Sequence, residues 1–321
     1  MATLNLPSEL TRTVTVSGRV TAKVMQDLTV YLVGPSESEF QFLVDLYESL
    51  CPADRLVRYK IAELEFWPRI ASPILTASGR AAAAGVRQPY FEPTRRRIRD
   101  GRAFEARFWD GREIDDADGS WNFSCRSIHL RSTGLHSFVR ILIPLKADCE
   151  ILRRAALAIA DRVQSCSGHG GLVFVYDPWL KEDGLDAIYA LSRRFWGVEV
   201  EDLNYTLPLM KEHLKGVNWI TLVGQQFTST PEIQAELDKL AQRSDVTIEQ
   251  RRHAAVLIAG PQPVAGDQHR PDSSLDPYYA VARAIEPLFL TAHPDFSGAQ
   301  FIDHGNTLGW IRRFLDPDGW R

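Results

Sequence analysis

Three groups of residues in this chain have side chains that could do chemistry. The first is in "NFSCRS", where Ser124 and Cys125 are candidate nucleophiles and His129 and His136 the nearest candidate bases. A Ser or Cys nucleophile needs a general base within hydrogen-bond reach. The stretch has strand character, so alternate side chains go to opposite faces. Nothing in the spacing places either histidine beside Cys125, and core packing is the competing reading. No G-x-S-x-G elbow occurs. The second group is Asp267, His269, Asp272, His293, Asp295, Asp303 and His304, all potential metal ligands. Their spacings match no metal cage, and they sit in loop-like sequence where polar groups are expected anyway. The third is "HLKGVNWITLVG", residues 213–224, where Lys215-Gly216 could begin a phosphate-cradling turn. A phosphate loop needs several glycines so that consecutive amides face the anion. One glycine is too few. The alternative is a buried strand, with Gly216 at a special backbone angle and Trp219 packed inward.

Charge supplies a different kind of candidate. "TRRRIRDGR" carries Arg95, Arg96, Arg97, Arg99 and Arg102, and "DGREIDDAD" carries Asp110, Glu113, Asp115, Asp116 and Asp118. The neighbouring acids offset the field of the basic run, which favours self-pairing or solvation. The acidic run reads as a hairpin tip. Clustered carboxylates can imitate a phosphate backbone and engage a basic protein groove; a merely solvated turn is the alternative. Trp109 stands next to the run as an aromatic contact. "GVEVEDLNY", with Glu199, Glu201 and Asp202, reads as a second acidic patch.

These residues need elements to position them. "QDLTVYLVG" (26–34) is β-branched and apolar and reads as a buried strand. Ser36 and Glu39 form a capping box for a helix with Phe40, Leu43, Tyr47 and Leu50 on one face, ended by Pro52. Strands are predicted near 57–64 and at 104–111, 121–130 and 137–145, the last three as an antiparallel meander. The Ala-rich stretch 74–84 is given no firm element. Asp148 is placed as cap of a helix reaching about Cys166, with Gly168 beyond its end. Strands follow at 170–179, 217–224, "DVTIEQ" and "HAAVLIAG", with helices at 185–194, 230–243 and 278–289. Residues 260–277 read as a loop rich in Gly, Pro and Asp. The interspersion predicts a mixed α/β (α+β) fold, with partly antiparallel sheets and flanking helices. Residues 1–25 are set apart as an extension, and 26–321 as one compact unit with lobes meeting near residue 168.

Composition bounds the function. The 321 residues are 45% hydrophobic with a formal net charge of -4, ordinary for a globular chain and unlike the basic footprint of a nucleic-acid binder. No window suits a membrane span, and the N-terminus lacks the basic-then-apolar pattern of a secretory signal. The four cysteines are widely spaced and read as buried thiols of a reducing compartment, so a cytoplasmic location is expected.

Several segments together resemble one bacterial family. "HLKGVNWITLVG" resembles its hallmark stretch, and "LTVYLVGPSESEFQFLVDLYESLC" its early strand and helix. "FEARFWDGREIDDADGSWNFSCRS" resembles the central hairpin, and "AVLIAGPQPVAGDQHRPDSSLDPYYAVARAIEPL" the final strand, loop and closing helix. "TLGWIRRF" resembles the tail. The family is the TsiV-like immunity proteins of type VI secretion, paired with VRR-Nuc toxins. The resemblance implies a cytoplasmic antitoxin, not an enzyme, with no cofactor, metal or active-site residues to carry over. Its partner would be a cognate secreted toxin, a DNase, held without direct contact to nucleic acid or membrane. From charge, the expected contacts are Trp109, Asp110, Glu113, Asp115, Asp116 and Asp118, with Glu199, Glu201 and Asp202 as second choice. The rival reading is a small hydrolase using Ser/Cys and His or a metal; a third is a scaffold or adaptor.

Overall fold

The computed structural model describes residues 4, 6–16, 18–52, 58–62, 94–110, 120–130, 134–177, 180–270 and 274–320. An 11-stranded sheet runs through the molecule in the order β10-β11-β9-β7-β2-β6-β5-β4-β3, with β1 beside β2 and β8 beside β7. The strands are β1 (Val14–Val16), β2 (Arg19–Leu32), β3 (Arg58–Ala62), β4 (Phe104–Trp109), β5 (Asn122–Leu130), β6 (Gly134–Ile143), β7 (Ser165–Tyr176), β8 (Val198–Val200), β9 (Ile220–Gly224), β10 (Val246–Gln250) and β11 (Ala254–Ala259). Pairing is antiparallel everywhere except β7 with β8. The mixed α/β architecture is the one the sequence predicts, and the meander is β4-β5-β6.

At the centre, β2 and β7 pair from Ala22↔Tyr176 to Leu32↔Ser165. The alternation along β2 explains why a strand of fourteen residues is buried on both faces. Val24, Leu28, Val30 and Leu32 join the main core, where Phe40, Leu43, Val44 and Tyr47 of helix α1 (Glu37–Leu50) are completely buried. The intervening Met25, Asp27, Thr29 and Tyr31 face the other way, and Met25 and Tyr31 belong to two separate apolar clusters. Ser36 caps α1 as expected: its Oγ accepts from the Glu39 amide at 3.3 Å, and Glu39 returns a carboxylate to the Ser36 amide at 2.7 Å. Helix α2 (Glu150–Arg162) packs beside α1 and against β2, β7, β9 and β11. Helix α3 (Lys181–Arg194) lies against β1 and β2, and α4 (Pro231–Leu240) against α5 (Asp276–Ala284).

Two expectations about the second helix shift. Helix α2 ends at Arg162, not Cys166, because "SCSGHG" is the start of central strand β7, and Gly168 pairs there with Val30. Its N-cap position is Cys149, while the Asp148 carboxylate accepts from the Glu150 amide at 3.2 Å. Residues 14–16 and 19–25, set apart as an extension, are strands β1 and the first half of β2. The same sheet also carries strands from both sides of residue 168. The Ala-rich stretch 74–84 lies outside the described residues.

Candidate functional site: a buried ion network beside an open arginine-lined face

The hallmark stretch holds the most consequential side chain. Lys215 is buried, with its ammonium 2.8 Å from Glu199 Oε1, 3.1 Å from Glu201 Oε2 and 2.6 Å from the Val200 carbonyl. The rings of Phe296 and Trp310 flank it at 5.5 and 5.4 Å. Glu201 Oε2 also accepts the Tyr31 hydroxyl at 3.0 Å and lies 3.3 Å from His169 Nε2. Arg313 stacks on Trp310, donates to the Trp196 carbonyl at 2.7 Å and lies 3.8 Å from Glu199 Oε2. Asp202 pairs with Lys181 at 2.7 Å. The two glutamates stand on and just after β8, the histidine on β7, the tyrosine on β2, Lys181 at the start of α3, and Lys215 and Arg313 on segments outside the helices and strands. Two carboxylates without water would be costly; two cations and a ring of donors balance them.

The proton affinities follow. Burial alone would raise the Glu201 carboxyl, but the Lys215 charge, and after it His169, outweigh that and hold it well below the usual range. Burial lowers Lys215 and His169 in turn, yet the glutamates reverse both, so each holds its proton more firmly than in water. Burial keeps the Asp27 carboxyl raised, despite Arg140 at 3.1 Å. It also lowers Arg313, to about 10.

The predicted contacts are placed as follows. Glu199, Glu201 and Asp202 form no exposed patch; they are buried because Lys215, Arg313 and Lys181 reach them from elsewhere in the chain. Trp109 is buried too, with the Arg107 guanidinium 4.8 Å from its ring centroid. Asp110 turns inward, accepting from Ser120 Oγ at 2.9 Å and the Trp121 amide at 3.1 Å. It therefore clamps the base of the β4–β5 connection. Glu113, Asp115, Asp116 and Asp118 lie outside the described residues. The basic run is partnered at home: Arg97 donates to the Ala103 carbonyl, Arg99 pairs with Glu37, Arg96 with Asp100, and Arg95 reaches Gln41.

The enzyme candidates are dispersed. Cys125 is wholly buried in the main core, and burial pushes its thiol far up, away from thiolate. His293 contacts Thr206 and Phe296, while His304 stacks on Tyr189. Asp267 holds Arg194 in a two-pronged ion pair at 2.8 and 2.8 Å. Among the described residues, one group of three ligand atoms lies close enough to share a metal ion: His169, Glu199 and Glu201. The Lys215 ammonium sits between its carboxylates. Gly216 has no left-handed backbone angle; a Cβ there would lie 3.2 Å from the Ile311 carbonyl, so close approach accounts for the glycine. All four cysteines are free and buried. A thiol reagent is therefore expected to label them at least about a hundredfold more slowly in the native protein than in denaturant. Rapid native labelling of Cys125 would contradict this placement.

Among the described residues, what remains open is the other face of β4, β5 and β6. Residues 203–210 cover Tyr31 and Phe138 there, but beyond them lies a groove of about 800 Å³. Its floor is Met25, Leu142, Phe138, Asn122 and Ser124, its rim Lys23, Arg107, Arg126, Arg140 and Lys181, and Glu201 and Asp202 border its inner end. Ser120 and Asn122, on the β5 side of the β4–β5 connection, also line the groove. No helix among the described residues is long and apolar enough to cross a membrane.

The fold of this chain is similar to that of a solved type VI secretion protein. The Pseudomonas aeruginosa T6SS protein PA0821 superposes with a TM-score of 0.70 over 94% of this chain and 88% of that one, at 16% identity, a likeness of fold. The family described as TsiV, type VI immunity for VRR-NUC, matches residues 67–314, and the chain belongs to it. No curated protein matches the chain in sequence.

Proposed function

We propose that this protein is the immunity partner of a type VI effector carrying a VRR-Nuc or related nuclease domain, and that it acts in the cytoplasm by binding, without catalysis. Membership of the TsiV family carries the reading. The bound immunity protein covers the nuclease's DNA-binding cleft or active site and keeps substrate out. The surface best suited to this is the end of the sheet where the flanks of the acidic β4–β5 connection, Asp110 and Ser120, stand. There Asp115 and Asp116, with Glu113 and Asp118, offer negative charge to a basic cleft, while Asp110 holds the base of the connection. The burial of Cys125 in the core supports a binding role over hydrolysis at that residue.

Charge complementarity of this kind acts chiefly on the association rate. Reversing Asp115→Lys together with Asp116→Lys is expected to slow association with the nuclease about tenfold at low salt and to reduce protection of cells expressing the toxin. Unchanged association and protection, at toxin levels the native protein only just neutralises, would remove the acidic connection from the interface.

A further inference from the structure

The open sheet face carries a second, oppositely charged feature. Strand register places Arg107 of β4, Ser124 of β5 and Arg140 of β6 in one cross-strand row. Adjacent strands lie about 4.8 Å apart, so the two arginines straddle the serine at about 10 Å between backbones. Arg126 stands two residues beyond Ser124 on the same face. Three arginines thus flank the shortest side chain of the groove floor.

Each arginine is held from below or from the side. Arg107 lies over Trp109; Arg126 reaches Glu105 at 3.4 Å and lies 5.8 Å from the Phe138 ring centroid; Arg140 Nε donates to Asp27 at 3.1 Å. The Arg126 and Arg140 side chains are held by these contacts and remain 27% and 16% exposed. Arg140 Nη2 is buried and has no hydrogen-bond partner among the described residues. Pre-positioned guanidinium groups bind carboxylates in two-pronged fashion and lose little freedom in doing so.

From this geometry we infer that the groove takes an acidic segment of the partner protein, seating a carboxylate over Ser124 between Arg107, Arg126 and Arg140. The inference rests on the immunity reading and names a contact within it. The charge pattern favours a protein segment over a polyphosphate chain. Carboxylates of Glu105, Glu201 and Asp202 are interspersed among the cations, and Met25 and Leu142 form an apolar floor. A uniformly negative backbone would be repelled by the first and gain nothing from the second. A peptide with mixed side chains satisfies both. The interface is then bipolar: the acidic connection faces basic residues of the effector, and the arginine groove receives its acidic ones.

The test uses the full-length protein and a purified effector nuclease with a VRR-Nuc domain, with binding measured by titration calorimetry at low salt. Arg107→Glu reverses one rim charge. Ser124→Trp fills the space between the arginines and leaves the charge unchanged. Both keep the strand pattern, and unchanged melting temperatures certify the fold. The native protein is expected to bind, and each variant to bind at least thirtyfold more weakly. Native-like binding by both folded variants overturns the groove assignment while leaving the immunity reading in place. Failure of the native protein to bind overturns the immunity reading, and the groove proposal with it. A 20-base-pair DNA duplex serves as the competing ligand: Arg107-dependent binding to it, stronger than to the nuclease, overturns the acidic-segment proposal in favour of nucleic acid.

Discussion

Replacing Lys215 by methionine is expected to destabilise the folded protein by about 3–5 kcal/mol, a large share of what a domain possesses. Methionine matches the length of the stem and fits between Phe296 and Trp310, so packing is nearly preserved. What is lost is the ammonium beside Glu199 and Glu201, both almost completely buried. Breaking a buried pair leaves an uncompensated charge, which is the expensive case. Neutralising the partners at the same time, as K215M with E199Q and E201Q, is therefore expected to recover part of the loss. Urea unfolding checks both variants; a single-variant loss below about 1 kcal/mol would show that the ion network contributes little.

The same network sets a pH dependence. Glu201 has a depressed folded value, so its contribution is present above the ordinary carboxylate range near about 4.3 and is lost as the pH falls below it. Lys215 is raised, so its contribution is complete below about 10.4 and is lost as the pH climbs through the folded value. His169, also raised, contributes fully below about 6.5 and loses its share above the folded value. Asp27, raised by burial, opposes Glu201 on the acid side. Stability of the native protein should fall between pH 6 and pH 3, and K215M should show a shallower fall, because Glu201 then lacks its principal counter-charge.

The second large effect is expected at Gly197, just before β8. A Cβ built there would lie 2.0 Å from the Val264 carbonyl oxygen and 3.0 Å from its carbon. The contact is backbone against backbone, and the Gly197 amide already donates to Ala265 at 2.8 Å. No side chain can swing aside, so the 264–267 loop must retreat or β8 must shift. Either movement disturbs Glu199 two residues on, and the Arg194–Asp267 ion pair at the other end of the loop. Gly197→Ala is expected to cost about 3 kcal/mol or more, at the upper end of overpacking effects. Thermal melting checks this, and a loss under about 1 kcal/mol would mean the loop yields freely. Alanine at Gly260, whose added Cβ meets nothing, controls for the bare effect of removing a glycine at a left-handed position.

The sequence revealed the elements better than the site. Period-two and helical spacing located β2, α1, the β4–β6 meander and β9–β11, because in each the apolar pattern and the local signal agree. The start of β7 is hidden in the sequence for a physical reason: "SCSGHG" is small and polar, which reads as loop, yet it lies at the sheet centre beside β2. "VEVED" reads as a surface patch in sequence for a related reason. Its charges are visible locally, but the groups that compensate them are not. Lys215 is fourteen residues past Glu201, and Arg313 more than a hundred beyond Glu199. Similarly, Arg107, Arg126 and Arg140 become neighbours only once register is known, since one residue of slip would turn any of them into the core. The resemblance to the immunity family, by contrast, needed no geometry, and its hallmark lysine is now seen as the pin of the ion network.

The pairing of β2 with β7 has a consequence in time. The sheet's central ladder joins residue 22 to residue 176. A nascent chain made at about 5–20 residues per second leaves β2 waiting many seconds for that partner, with the ladder's hydrogen-bonding groups exposed. Long-range pairing of this sort slows folding as well. Protection against a toxin therefore lags synthesis, and the cell is best served by a standing stock of folded protein made before the attack.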